Sequence, residues 1–282
     1  MSPFYETKSV FLSTAPGAAR NIVSMDSDDD ERDDFPDYRD PADISAREFT
    51  RALGTLNLFN DPYLRTQAFN LAIVDKFIME LEYEVLRKLN EEEHVPMEAT
   101  FLSAQTQMWI FAVYEILRTW RERAKEVVKL KENGGLKLKV DALRRDRGFR
   151  HFGRELRADQ IEAVIDSPKI IDDIKVDLRF THIPFVRIQH IRVALAKHEV
   201  GGRKKSIAYA PGHGRINQWC GSLEFELEND GAIMGQISRR DIADELRALS
   251  DRSNPPSDED LQSFDAFMKG PDMKPFEEGE ND

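Results

Sequence analysis

Arg192 and His198 are separated by five residues in Phe185–Val200, FVRIQHIRVALAKHEV, near the end of a predicted helix. An imidazole at that position can take the proton of a ribose 2′-hydroxyl. A guanidinium beside it can offset the charge that develops on the phosphate. Together they would supply what metal-independent RNA cleavage needs, with Arg187, His190, Lys197 and Glu199 near enough along the chain to assist. Similar spacings recur at Arg87/His94, Arg144/His151 and Arg145/His151, but only Arg192/His198 falls on a well-formed helix late in the chain. The competing reading makes Arg192 and Lys197 ordinary surface charges, and His198 a helix C-terminal residue favoured by the dipole.

A second candidate is the stretch from Arg118 to Arg157, which has fourteen Lys/Arg against six Asp/Glu. Within it Arg144, Arg145, Arg147, Arg150, Arg154 and Arg157 surround Phe149, His151 and Phe152. Arginines interleaved with aromatic rings suit phosphate contacts combined with base stacking. The alternative is a solvated basic segment neutralised by acidic tails. Glu115, Arg118 and Glu122, at helical steps of three and four, read as a structural ion-pair group. No Cys/His pair has zinc spacing, no serine lies in a nucleophile-elbow motif, and Gly212-His213-Gly214 falls between strands rather than between strand and helix. No metal or cofactor is therefore expected.

These groups depend on helices for their positions. From Trp109 the apolar residues Val113, Ile116, Trp120, Ala124 and Val127 follow at steps of three and four, and Ile110, Phe111, Tyr114 and Leu117 widen that seam. The helix over Phe101–Lys131 must therefore lie under other helices. Before it, Ile44–Leu53 predicts a short helix. Asp61-Pro62 opens a long one with Leu64, Ala68, Leu71, Ile78, Leu81, Val85 and Leu89 inward and Asp75, Glu80, Glu82 and Glu84 outward. A short connection makes the two long helices antiparallel. Leu136–Val140 alternates apolar and basic residues and fits either a strand or a linker. Short helices follow at Ala158–Ile165 and from Ser167-Pro168, then a break at Thr181–Ile183 and a helix from Pro184 to about Lys197. Period-two alternation marks strands at Ser206–Ala210, Gln218–Leu227 and Ala232–Ile237. Ser238-Arg-Arg-Asp241 is a capping box that opens a final helix through Leu249. The fold class is mainly α: a helical bundle with a small C-terminal antiparallel hairpin or meander (about 203–237) and a final helix.

The formal net charge of −12 belongs to the ends. Residues 1–40 carry ten acidic against four basic side chains, and residues 251–282 ten against three, so the stretch between is close to neutral. Residues 1–40 and 251–282 read as disordered acidic tails flanking a domain over 41–250, with Leu261–Met268 as a small docking helix inside the second. One cysteine, Cys220, permits no intrachain disulfide and fits a reducing compartment, and no apolar run is long enough to span a membrane. A cytoplasmic protein without a membrane partner is the expectation.

Long helices followed by Arg192–His198, RVALAKH, resemble the HEPN superfamily over about residues 60–250. The resemblance implies a helical bundle whose Arg-x(4–6)-His motif forms a composite RNase site at a homodimer interface, often in defence or toxin systems. On that reading Arg192 and His198 are catalytic, Arg144, Arg145, Arg147, Arg150, Arg187 and Lys197 contact nucleic acid, and RNA and a second copy are the partners. The other reading is a non-enzymatic helical scaffold that binds itself or a partner protein.

Overall fold

A computed structural model describes residues 37–92, 94–149, 151–196, 215–229 and 232–270. Helix α1 (Ala46–Gly54) starts at a capping box in which Ser45 and Glu48 satisfy each other's backbone N–H groups. Helix α2 (Pro62–Glu92) starts at Asp61, whose carboxylate accepts from the amides of Tyr63 (2.8 Å) and Leu64 (3.3 Å) and also meets Arg123 at 2.9 Å. Helix α3 (Glu98–Glu132) runs antiparallel to α2: Arg123 near its C-terminal end reaches Asp61, and Glu98 at its start pairs with Lys88. The seam behaves as its spacing requires. Trp109, Val113, Ile116, Trp120, Ala124 and Val127 are all buried, and the Trp120 indole donates to the Asn57 carbonyl (2.7 Å).

Gly134, with φ +73°, lets the chain turn out of α3. Leu136–Arg144 then forms helix α4, not a strand. Leu136 and Val140, four residues apart, are buried while Leu138 is exposed, so the alternating residues lie on a helix of which only one stripe meets the core. Helices α5 (Phe152–Asp166), α6 (Lys169–Phe180) and α7 (His182–Ala196) complete the bundle, with the expected break at Thr181. Ile188 and Ile191 bury α7 against α3.

Strands β1 (Arg215–Ile216), β2 (Leu223–Asn229) and β3 (Ala232–Ser238) form an antiparallel sheet in that order, with Phe225 opposite Ile237. Leu223, Phe225 and Leu227 face inward, against α7 and the helix that follows. Gln218–Cys220 is a turn rather than the start of β2, because Asn217 Oδ1 accepts from the amides of Trp219 (2.8 Å) and Cys220 (3.0 Å). The strand expected at Ser206–Ala210 lies outside the described residues. Helix α8 (Arg239–Arg247) begins at the Ser238/Asp241 capping box, and a short 3-10 turn (Ala248–Ser250) ends it.

The body continues past Ser250. Arg252 pairs with buried Asp177 at 2.7 Å, and helix α9 (Asp258–Lys269) lies on α7 through Phe264 and buried Met268. The docking helix expected at Leu261–Met268 is thus present, and residues 251–270 are part of the packed body where a tail was expected. Among the described residues no helix is long and apolar enough to cross a membrane.

Candidate functional site

Arg192 sits on α7 above the ring of Tyr114 on α3, with its Cζ 5.0 Å from the ring centroid. Tyr114 stacks on Phe185, at 5.6 Å and 16° between planes, and Arg121 caps the other side of Phe185 at 4.8 Å. The four side chains form a column, guanidinium–ring–ring–guanidinium, built from residues seven apart on each helix. Arg121 is buried, and its Nη1 donates to the Leu178 carbonyl (2.9 Å) and the Thr181 hydroxyl (2.5 Å). Burial pulls its pKa down to about 10. The Nε atoms of both Arg121 and Arg192 are buried and have no hydrogen-bond partner among the described residues.

His198, Lys197 and Arg150 lie outside the described residues, so the structure places Arg192 and is silent on its sequence partner. Arg187 points the other way, to Glu245 on α8 and over the ring of Phe264 on α9 at 5.6 Å. Burial lowers its pKa and that of His190. Arg187 is therefore a structural cation joining α7, α8 and α9, and is not free for phosphate.

Part of the basic segment is neutralised inside the molecule. Arg144 pairs with Asp159 (2.8 Å) and Glu162, Arg123 with Asp61, and Lys139 and Arg157 both with Glu126. Arg154 donates to the Ala142 carbonyl (2.8 Å). Arg145 and Arg147 lie exposed. Arg118 sits between Glu115 (2.8 Å) and Glu122 (2.6 Å) on the surface, as the spacing predicts. Among the described residues no three His, Cys, Asp or Glu side chains gather in a way that could hold a metal ion.

Two features were missed by sequence reasoning, and both lie on α2. Asp75 and Glu82, expected to face outward, are buried, while Glu80 and Glu84 are exposed as expected. Fully buried Arg239 donates through Nε and Nη2 to Glu82 (2.7 and 2.8 Å) and through Nη1 to Asp75. Arg247 reaches the other Asp75 oxygen and Asp244, and Arg239 also lies over the Trp109 ring at 5.2 Å. Burial alone would lower the Arg239 pKa, but the carboxylates of Glu82 and Asp75 outweigh it and hold it above the ordinary arginine value. A helical moment cannot reveal this, because it scores every carboxylate as outward.

The second feature is the opposite side of α2. Phe69, Ile73 and Phe77 recur every four residues and are 57, 50 and 46% exposed. Phe77 meets Phe101 of α3 edge to face at 6.1 Å, and Met108 continues the apolar surface along α3. No charged residue occurs from Thr66 to Val74 or from Ala99 to Tyr114, in a chain that is 33% charged. Exposed aromatic and Met side chains without charge are the composition of interface cores. Scattered exposed apolar residues are ordinary, but a joined patch is not.

Comparisons of this chain with protein families, with characterised proteins and with solved structures return no match.

Proposed function

We propose that this chain is a non-enzymatic helical interaction module that works by presenting the α2/α3 face to another polypeptide. The observation that carries this reading is the charge-free, aromatic and exposed surface formed by Phe69, Ile73, Phe77, Phe101 and Met108. It lies on a helix fixed from behind by the Asp75/Glu82/Arg239 network, so it is a rigid surface and not a loose one. Two of the basic residues that would grip a nucleic acid, Arg144 and Arg187, are engaged with carboxylates of the same chain, which leaves Arg145 and Arg147 exposed. The test is to place benzoylphenylalanine at Ile73 and irradiate cells that make the protein. A discrete protein adduct is expected there and none when the probe replaces exposed Leu138 on α4. The absence of any adduct at Ile73 removes this reading.

A second reading, RNA binding or cleavage of HEPN type, is supported by Arg192. Its guanidinium lies on an aromatic face near the end of α7 with an Nε that has no hydrogen-bond partner among the described residues, and His198 follows it by six positions. On this reading His198 takes the 2′-hydroxyl proton and Arg192 stabilises the phosphate charge. With labelled single-stranded RNA and EDTA present, His198→Ala then cuts cleavage by roughly 10²–10⁴-fold. An inert wild type removes the RNase.

A further inference from the structure

We infer that the occupant of the α2/α3 face is a second copy of this chain, joined by an antiparallel meeting of two α2 helices centred on Ile73. This rests on the face being a docking surface, as proposed above, and adds what docks there.

The first argument is charge. A two-fold interface sets the same patch against itself, so any charge near its centre meets its own sign. A self-pairing surface must be neutral in the middle and carry opposite charges at matched distances from the axis. The centre here satisfies the first condition: Phe69, Ile73 and Phe77 on α2 and Phe101 and Met108 on α3 carry no charge, and the one cation between them in sequence, half-buried Lys76, is turned to the Pro41 carbonyl. The ends satisfy the second. Arg65 lies eight residues before Ile73 and Glu80 seven after it, and both are exposed. With the helices antiparallel about Ile73, Arg65 of each copy stands opposite Glu80 of the other. An acidic or basic partner would find nothing to pair with at the centre of this surface.

The second argument is area. Large apolar side chains of this kind bury about 150–250 Å² each. Five of them, about half exposed, offer roughly 500 Å², near the upper end of patches on monomeric proteins. Exposed and uncharged Thr66, Asn70, Thr100, Ala104 and Ala112 lie on the same helices. They extend the face toward the roughly 800 Å² per partner that a standard interface buries.

The experiment is sedimentation velocity on the full chain over a concentration series, with thermal unfolding monitored for each variant. The wild type is expected to be a dimer at micromolar concentration. Ile73→Glu and Met108→Glu, at exposed positions on two different helices, are each expected to weaken association by at least about a hundredfold, because each sets two carboxylates in an apolar centre. Leu138→Glu is expected to leave the dimer intact. Glu80→Arg should weaken association by about three- to tenfold, and adding Arg65→Glu should restore it. A wild type that stays monomeric at 100-fold higher concentration overturns the second copy as occupant, while a cross-linked adduct at Ile73 with a different protein would still leave the docking surface standing. A dimer that survives both α2/α3 substitutions, or one that Leu138→Glu breaks equally, also overturns it. Failure of the Arg65/Glu80 exchange to restore association overturns the antiparallel arrangement.

Discussion

Helix α2 has two faces whose chemistry is reversed. Toward the core it turns Asp75 and Glu82, both almost completely buried; toward solvent it turns Phe69, Ile73 and Phe77, each about half exposed. The inner charges are tolerated because Arg239 and Arg247 meet them with direct, charge-assisted hydrogen bonds. Among the described residues the outer side chains remain about half exposed, even where Phe77 meets Phe101. Burying an ion pair yields little net stability compared with well-packed apolar residues, but it is strongly directional. The inner face therefore specifies where α8 sits and how α2 is rotated, and that rotation is what leaves the aromatic stripe outside.

Removing one inner charge should have the largest effect. Arg239→Ala strands Glu82 and half of the Asp75 contact in the core, and is expected to cost about 3–5 kcal/mol in denaturant unfolding. Replacing both members, Glu82→Leu with Arg239→Met, keeps the Asp75–Arg247 pair and should recover at least about 2 kcal/mol of that loss. A single-mutant cost below about 1 kcal/mol would mean that the network does not fix α2.

The next effect is in alkaline solution, where groups held in the interior should resist ionising. Burial pushes the Cys220 thiol up to about 12 from an ordinary 9.0, and burial with Asp241 pushes the Tyr38 hydroxyl up as well. Each folded pKa is raised, so the stability each contributes is complete below the unfolded value and is lost as pH climbs toward the folded one. For Cys220 stability should fall by roughly 1 kcal/mol between pH 9 and 10, and Cys220→Ala should flatten that part of the curve. An equal slope in the variant would show that the thiol is not responsible.

The smallest effect belongs to the exposed ions. Arg118→Ala, which opens the Glu115/Arg118/Glu122 group, should leave the unfolding midpoint close to that of the wild type, because exposed ion pairs are screened by solvent. A large fall in that midpoint would erase the distinction between inner and outer charge.

The α3 seam was fully legible in the sequence, since every residue of its three-four pattern is buried and apolar. So were the break at Thr181, the Ser238 cap and the Arg118 ion pairs, all of which are decided within a few residues. What lay hidden depends on distant partners. Arg144 reads as a free cation until Asp159 and Glu162 of the next helix fold back on it. Asp75 and Glu82 read as solvated because the arginines that bury them come more than 150 positions later. Of the proposed RNA site, the spacing of Arg192 and His198 was visible, whereas the stacking of Arg192 on Tyr114 follows from the crossing of α3 and α7, which no local pattern encodes.

The distance between those charges sets the order in which the chain can fold as it is made. Arg239 follows Glu82 by 157 positions, and Arg247 follows Asp75 by 172. A ribosome has therefore released α1 to α7 before it supplies the groups that neutralise the carboxylates of α2. Until then α2 has two carboxylates on the side that must be buried and aromatic rings on the side that is wet. For α8, beginning with two arginines at a helix end where the dipole disfavours cations, those carboxylates offset the unfavourable end charge while Ile242 and Leu246 pack into the core. The two helices thus complete each other only once residues 239–247 have been made. A chain stopped before Ser238 would keep two unneutralised carboxylates on the inner side of α2, the kind of incomplete packing that exposes folding intermediates to aggregation.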